Sequence, residues 1–131
     1  MSETHILRTE IVYEGFFRFL KATVALPDGA VVEREVLESG GAVAVLPYDP
    51  ERRVAMLITQ PRPGAFYRGE QSPLEAIAGA LDGIEPHRRI VEEAMEEGGL
   101  RLGTLEPVAN IWSPVKNAEA RRKAWVLSKS K

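Results

Sequence analysis

At 131 residues with 44% apolar side chains, the chain has a single-domain length and enough apolar surface for a core. It has no cysteine and only two histidines, which excludes a disulfide framework and a thiolate metal site, and His5 and His87 lie far apart in sequence. A formal net charge of −2 supplies no general attraction to nucleic acid or to an anionic membrane.

From residue 9 to residue 26 apolar and polar residues alternate, as strands do. Phe17 and Phe19 share one face; Leu20, Ala22, Val24 and Leu26 share the other. Pro27-Asp28-Gly29 is a turn signal and Ala30 to Leu37 alternates again, so a hairpin is predicted. Ala42 to Leu46 and Val54 to Thr59 are nearly continuous apolar runs, as expected of buried central strands. Pro61 to Pro73 reads as an irregular loop carrying Arg62, Tyr67, Arg68 and Glu70. Leu74 to Ala80 reads as a short strand, Pro86 to Glu97 as a helix stopped by Gly98-Gly99, and Thr104 to Trp112 as another strand. Phe66 and Trp112 are read as core residues, with stacking on a base as the alternative. No apolar run approaches the ~18 residues of a transmembrane helix. Met1-Ser-Glu-Thr-His is not a signal peptide, so the cytoplasm is the expected location.

The helix is the part of the chain that carries chemistry. Ile90, Val91, Ala94 and Met95 form its predicted apolar stripe, with Glu93, Glu96 and Glu97 opposite. Glu92 and Glu96 stand one turn apart, as do Glu93 and Glu97, and each such pair costs an isolated helix about 0.2–0.5 kcal/mol. A hard divalent cation held by oxygen ligands relieves that repulsion, which points to Mg²⁺ or Mn²⁺. The alternative is a solvated acidic face, with Arg88 and Arg89 pairing to Glu92 and Glu93 four residues on.

The stretch from Gly79 to Leu100 resembles the Nudix box, G-x5-E-x7-R-E-U-x-E-E-x-G-U, where U is a bulky aliphatic. Gly79 and Glu85 match its first half; Glu93, Glu96, Glu97, Gly99 and Leu100 match its second. The chain departs from it twice: the loop between Gly79 and Pro86 is one residue short, and Glu92 stands where the box has an arginine that helps hold the glutamates. Here Glu92 is read as a fourth anion that adds repulsion, with Arg88 or Arg89 as possible substitutes for the arginine. Outside the box, Gly41 to Pro50, Val54 to Arg62, the Glu75-x-x-Ala78-Gly79 element and Ser113-Pro114 resemble the ADP-ribose pyrophosphatase branch. The likeness runs from about residue 9 to residue 119.

The resemblance implies an α/β (α+β) fold, a mixed sheet flanked by helices with an N-terminal antiparallel β extension. It divides one domain into an extension, 1–40, and a core, 41–131. Family members continue for several tens of residues past the equivalent of Glu119, so the core is expected to be incomplete at its C-terminal side. The implied metal ligands are Glu93, Glu96, Glu97 and the carbonyl of Ala78, with Glu93 or Glu96 orienting the attacking water. Arg62, Gln60 and Glu75 are the implied substrate contacts. The implied activity is Mg²⁺-dependent (or Mn²⁺-dependent) hydrolysis of ADP-ribose or a related nucleoside diphosphate sugar, by a homodimer that exchanges N-terminal strands. The alternative is a catalytically silent Nudix-like module that binds a nucleotide or a protein. A basic tail of Lys116, Arg121, Arg122, Lys123, Lys129 and Lys131 is a third, weaker pointer, to nucleic acid; it reads first as solvated or frayed sequence.

Overall fold

The structure is a computed structural model that describes residues 3–38, 40–112, 118–119 and 121–127, with side chains described as far as Asn110. The chain forms two compact units, one of residues 1–40 with 112–121 and one of residues 41–111 with 122–131.

The first unit is a four-stranded sheet. Strands β1 (His5–Glu14), β2 (Arg18–Ala25) and β3 (Val31–Glu38) form an antiparallel meander, and the short β11 (Ala118–Glu119) pairs in parallel with β3. The predicted turn closes β2 onto β3. Gly29 donates to the Leu26 carbonyl at 2.9 Å and sits at φ +86°, a conformation natural to glycine, while Asp28 Oδ1 accepts from Ala30 N at 2.9 Å. Cross-strand charges agree with the register: Arg18 faces Glu38 and donates to it from Nε at 3.2 Å and Nη2 at 2.6 Å. Every residue of β1 is exposed, Ile6, Leu7, Ile11, Val12 and Tyr13 included.

The second unit is built on β4 (Ala42–Leu46), which is central as predicted. Val43 and Val45 are fully buried and pack with Ile77, Ile90 and Ala94. On one side β4 pairs antiparallel with β9 (Ile77–Ala80), Ala44 facing Ala78. On the other it pairs in parallel with β12 (Arg121–Leu127), and β10 (Leu105–Trp112) lies beyond β12. The sheet is therefore mixed, and one helix, α2 (Pro86–Gly98), packs on β4 and β9.

Four expectations are corrected. Leu74 to Ala80 is not one strand but two, Leu74–Glu75 and β9, which pair with different partners. Val54 to Thr59 is not one buried strand. It divides into β6 (Val54–Ala55), paired with β5 (Tyr48–Asp49), and β7 (Ile58–Thr59), paired with β8 (Leu74–Glu75). Val54 and Leu57 are about half exposed, because β9 and β12 already occupy both sides of β4. An apolar run alone does not distinguish a central strand from an edge one. Pro61 to Pro73 is not wholly irregular: Pro63–Tyr67 forms a short helix, α1, with proline at its start and Phe66 about half exposed rather than in the core. Finally, the basic tail is not frayed over Arg121–Leu127, which is an interior strand of the sheet. The side chain of Trp112, the Ser113-Pro114 element and the side chains of the tail lie outside the described residues.

Candidate metal and active site

The site grows from the junction of β9 and α2. Between them Leu81 to Ile84 forms a tight turn, with Ile84 donating to the Leu81 carbonyl at 2.8 Å. Asp82 and Gly83 both take positive φ, +49° and +77°, the pattern of a type I′ turn, for which Asp-Gly is a favoured pair. Glu85 then caps the helix: its carboxylate accepts from the backbone of His87 and Arg88, both at 3.0 Å, and Pro86 occupies the first turn. Glu85 therefore serves as a helix cap, satisfying donors that the helix leaves open. At the other end Gly99 adopts the left-handed conformation, φ +63°, and Leu100 turns back to donate to the Ala94 carbonyl at 3.1 Å.

The buried stripe of α2 differs from the predicted one. Ile90 and Ala94 are buried, but Val91 and Met95 are 40% and 47% exposed, and Glu93 is buried instead, at 5%. A glycine in β9 makes room for it. A Cβ on Gly79 would lie 2.5 Å from Glu93 Cδ and Oε1 and 2.6 Å from its Cγ, so only glycine leaves the space that this carboxylate fills. Burial pushes the Glu93 carboxyl above the ordinary carboxylate range; Arg89 opposes the shift, and the charges of Glu97 and Glu96 add to it.

Arg89 is the residue that the sequence reading left undecided. Its Nη2 pairs with Glu93 Oε1, its Nε donates to the Ala80 carbonyl at 2.8 Å, and its Nη1 lies 3.6 Å from Glu92 Oε2. Arg88 takes the other oxygen of Glu92, donating to Oε1 at 3.1 Å. Glu92 is thus neutralised by two arginines, which corrects the reading of it as unrelieved repulsion. The signal for the Arg89–Glu93 pair was present as a four-residue spacing, but spacing did not show that both side chains would be largely buried.

Glu97 sits one turn beyond Glu93. Gln60 Nε2 donates to its Oε1 at 3.1 Å, and its Oε2 is buried with no hydrogen-bond partner. Arg62, at the start of α1, and Glu75, in β8, two of the implied substrate contacts, form a bidentate ion pair, with Nε donating to the two carboxylate oxygens at 3.0 and 3.1 Å and Nη2 bonded to Oε1. This bond holds Arg62 more firmly protonated; burial works against it, and the charges of Glu75 and Glu97 work with it. Glu96 is exposed and lines an open groove of about 550 Å³ with Val91, Glu92, Met95, Leu100, Arg101 and Leu102. Ala78 lies in β9 beside Gly79. Gln60, Arg62, Glu75, Glu93 and Glu97 are thus linked by contact or by charge, and Glu96, which faces the groove, joins them only through its charge on Glu93.

Among the described residues no three histidine, aspartate or glutamate side chains form a ready-made metal cluster. The donor chemistry nonetheless suits a hard divalent ion. The unpartnered oxygen of Glu97 is a buried acceptor that a cation satisfies, and Glu93 and Glu96 act on each other electrostatically beside it. Gln60 and Arg89 bond the carboxylates in the manner of groups that orient metal ligands. No helix among the described residues is long and apolar enough to cross a membrane, which says nothing of a β-barrel.

No protein-family model matches the chain. It is 36% identical over 120 residues to an ADP-ribose pyrophosphatase of Haemophilus influenzae, covering 84% of this chain and 55% of that protein. It is 35% identical over 114 residues to a GDP-mannose pyrophosphatase of Cronobacter sakazakii, covering 82% of this chain and 60% of that one. The chain therefore spans a little over half the length of these curated relatives. A solved structure described as an ADP compounds hydrolase superposes with a TM-score of 0.80 at 18% identity, over 100% of this chain and 70% of the other, which shows the fold. The chain belongs to the Nudix family, in its ADP-ribose pyrophosphatase-like branch.

Proposed function

We propose that this protein is a Mg²⁺-dependent hydrolase that cleaves the diphosphate of a nucleoside diphosphate sugar, ADP-ribose foremost. The observation that carries the reading is the buried, unpartnered Oε2 of Glu97, beside a second carboxylate, Glu93, that burial makes costly to ionise. Glu93, Glu96 and Glu97 would hold the metal, with the Ala78 carbonyl as a further ligand. The bound ion neutralises diphosphate charge and lowers the pKa of water. Glu93 or Glu96 orients the attacking water and takes its proton. Arg62, with its planar fork held by Glu75, binds the anionic substrate, and Gln60 fixes Glu97. Attack on one phosphorus breaks the P–O–P bridge and gives a nucleoside monophosphate and a sugar phosphate.

The test is incubation with Mg²⁺ and a panel of nucleoside diphosphate sugars, followed by phosphatase and a phosphate assay. Phosphate released from ADP-ribose or GDP-mannose only when Mg²⁺ is present supports the reading. A second reading, a silent module that binds nucleotide without cleaving it, draws on the lack of a ready-made cluster among the described residues. Nucleotide binding by calorimetry with no turnover across the panel favours it.

The working form in this reading is a homodimer. The exposed strand β1 supports it, because a sheet edge carrying Ile6, Leu7, Ile11 and Val12 is a template for pairing with a second copy. Sedimentation that shows a monomer at micromolar concentration rejects the dimer and weakens the ADP-ribose assignment.

A further inference from the structure

We propose that Arg89 is the positioning residue of this site, and that Glu92 is its anchor and not a ligand. The inference rests on the metal-site reading above. Each of the three guanidinium nitrogens of Arg89 has a different partner: the Ala80 carbonyl, Glu92 and Glu93. Two bonded acceptors in different directions, with the Glu92 carboxylate 3.6 Å from the third nitrogen, fix the plane of the guanidinium, which a single hydrated ammonium cannot match. Its side chain is only 18% exposed and that of Glu93 only 7%, so water does not compete for the pair as it does on an open helix face.

The three partners come from two elements. Ala80 ends β9, one residue after the glycine that makes room for Glu93, while Glu92 and Glu93 belong to α2. Arg89 therefore ties the helix to the strand at the point where the carboxylate enters. It holds Glu93 Oε1. Glu92, bonded to Arg88 on its other side, steadies Arg89 in turn. The row Arg88, Glu92, Arg89, Glu93 alternates in sign, so two of the segment's four glutamates carry their charge in pairs with arginines.

The experiment measures Mn²⁺ affinity by calorimetry and metal-free melting temperature for the wild type, Arg89→Gln, Arg89→Lys, Glu97→Gln and, as a remote control, Arg52→Gln. Arg89→Lys keeps the charge and loses the fork. The expected result is Mn²⁺ affinity about 10- to 100-fold weaker in both Arg89 variants, the range seen when groups that orient metal ligands are removed. Arg52→Gln should bind as the wild type does. A merely structural role lowers the melting temperature and leaves the affinity of the folded variant unchanged. Should Arg89→Gln not fold, Arg89→Lys carries the test. Wild-type affinity in folded Arg89→Lys overturns the Arg89 role, even where Glu97→Gln weakens binding. A wild type that binds no Mn²⁺ overturns the metal site and this inference with it.

Discussion

Gln60 and Glu97 lie 37 residues apart in sequence and are bonded through Nε2 and Oε1 at 3.1 Å, which leaves the second oxygen of Glu97 buried with nothing to accept from. A buried acceptor in that state carries a desolvation penalty of about 1–3 kcal/mol, more for a charged group. Glu97→Gln removes the charge and keeps the shape. The variant should melt no lower than wild type without metal, and its Mn²⁺ affinity should fall by about tenfold or more. Calorimetry showing equal affinity in the two proteins would sink the assignment of Glu97 as a ligand.

Gly79 is tested by its smallest replacement. The Cβ of Gly79→Ala would lie 2.5 Å from Glu93 Cδ and Oε1, and that carboxylate is pinned by Arg89. The expected loss is about 1–3 kcal/mol in denaturant titration, the usual cost of overpacking. Mn²⁺ binding should weaken as well. A variant as stable as wild type means that Glu93 moves aside freely and is not held.

Glu92→Arg restores the arginine of the box pattern, yet it should not help this chain. It would add a third cation beside Arg88 and Arg89, both of which now pair with Glu92. Stability should fall by up to about 1 kcal/mol, the upper range for partly exposed pairs. A raised melting temperature in the metal-free protein counts against the paired row.

In the metal-free protein the folded Glu93 carboxyl titrates above the ordinary value that it has in the unfolded chain. Between those two values the folded state holds the proton more than the unfolded state does. Stability therefore falls as pH rises through that window, and below it this group costs nothing. Glu93→Gln lacks the component, so its melting temperature relative to wild type should climb across the window. A variant melting temperature that falls relative to wild type with rising pH contradicts the raised titration.

The centre of the second unit was legible in the sequence, its rim less so. Ala42 to Leu46 was read correctly because a five-residue run bounded by Gly41 and Pro47 fits a strand covered on both faces. The helix start at Pro86 and its stop at the Gly98-Gly99 pair, one residue beyond the expected end at Glu97, followed from proline and glycine chemistry. The same apolar signal misled at Val54 to Thr59, since hydrophobicity does not say which partner a strand finds. Arg121–Leu127 was misread for the converse reason: charged residues suggested solvent, while backbone pairing to β4 was invisible. The box located the glutamates, but the burial of Glu93 depends on Gly79, 14 residues away and on another element.

The parallel pairing of β12 with β4 has a kinetic consequence. Ala42 faces Ala80 on one side and Arg122 on the other, so the two closures of β4 span loops of very different length. Closing the shorter loop has the lower entropic cost and its contacts form more readily. The segment from β4 through β9 to α2, which contains Gln60, Arg62, Glu75, Gly79, Arg89, Glu93 and Glu97, can therefore assemble before β12 arrives. On a chain emerging from the ribosome, the carboxylates would be set in place while one flank of β4 still awaits its partner, and that flank is the interval in which mispairing with another chain is most dangerous.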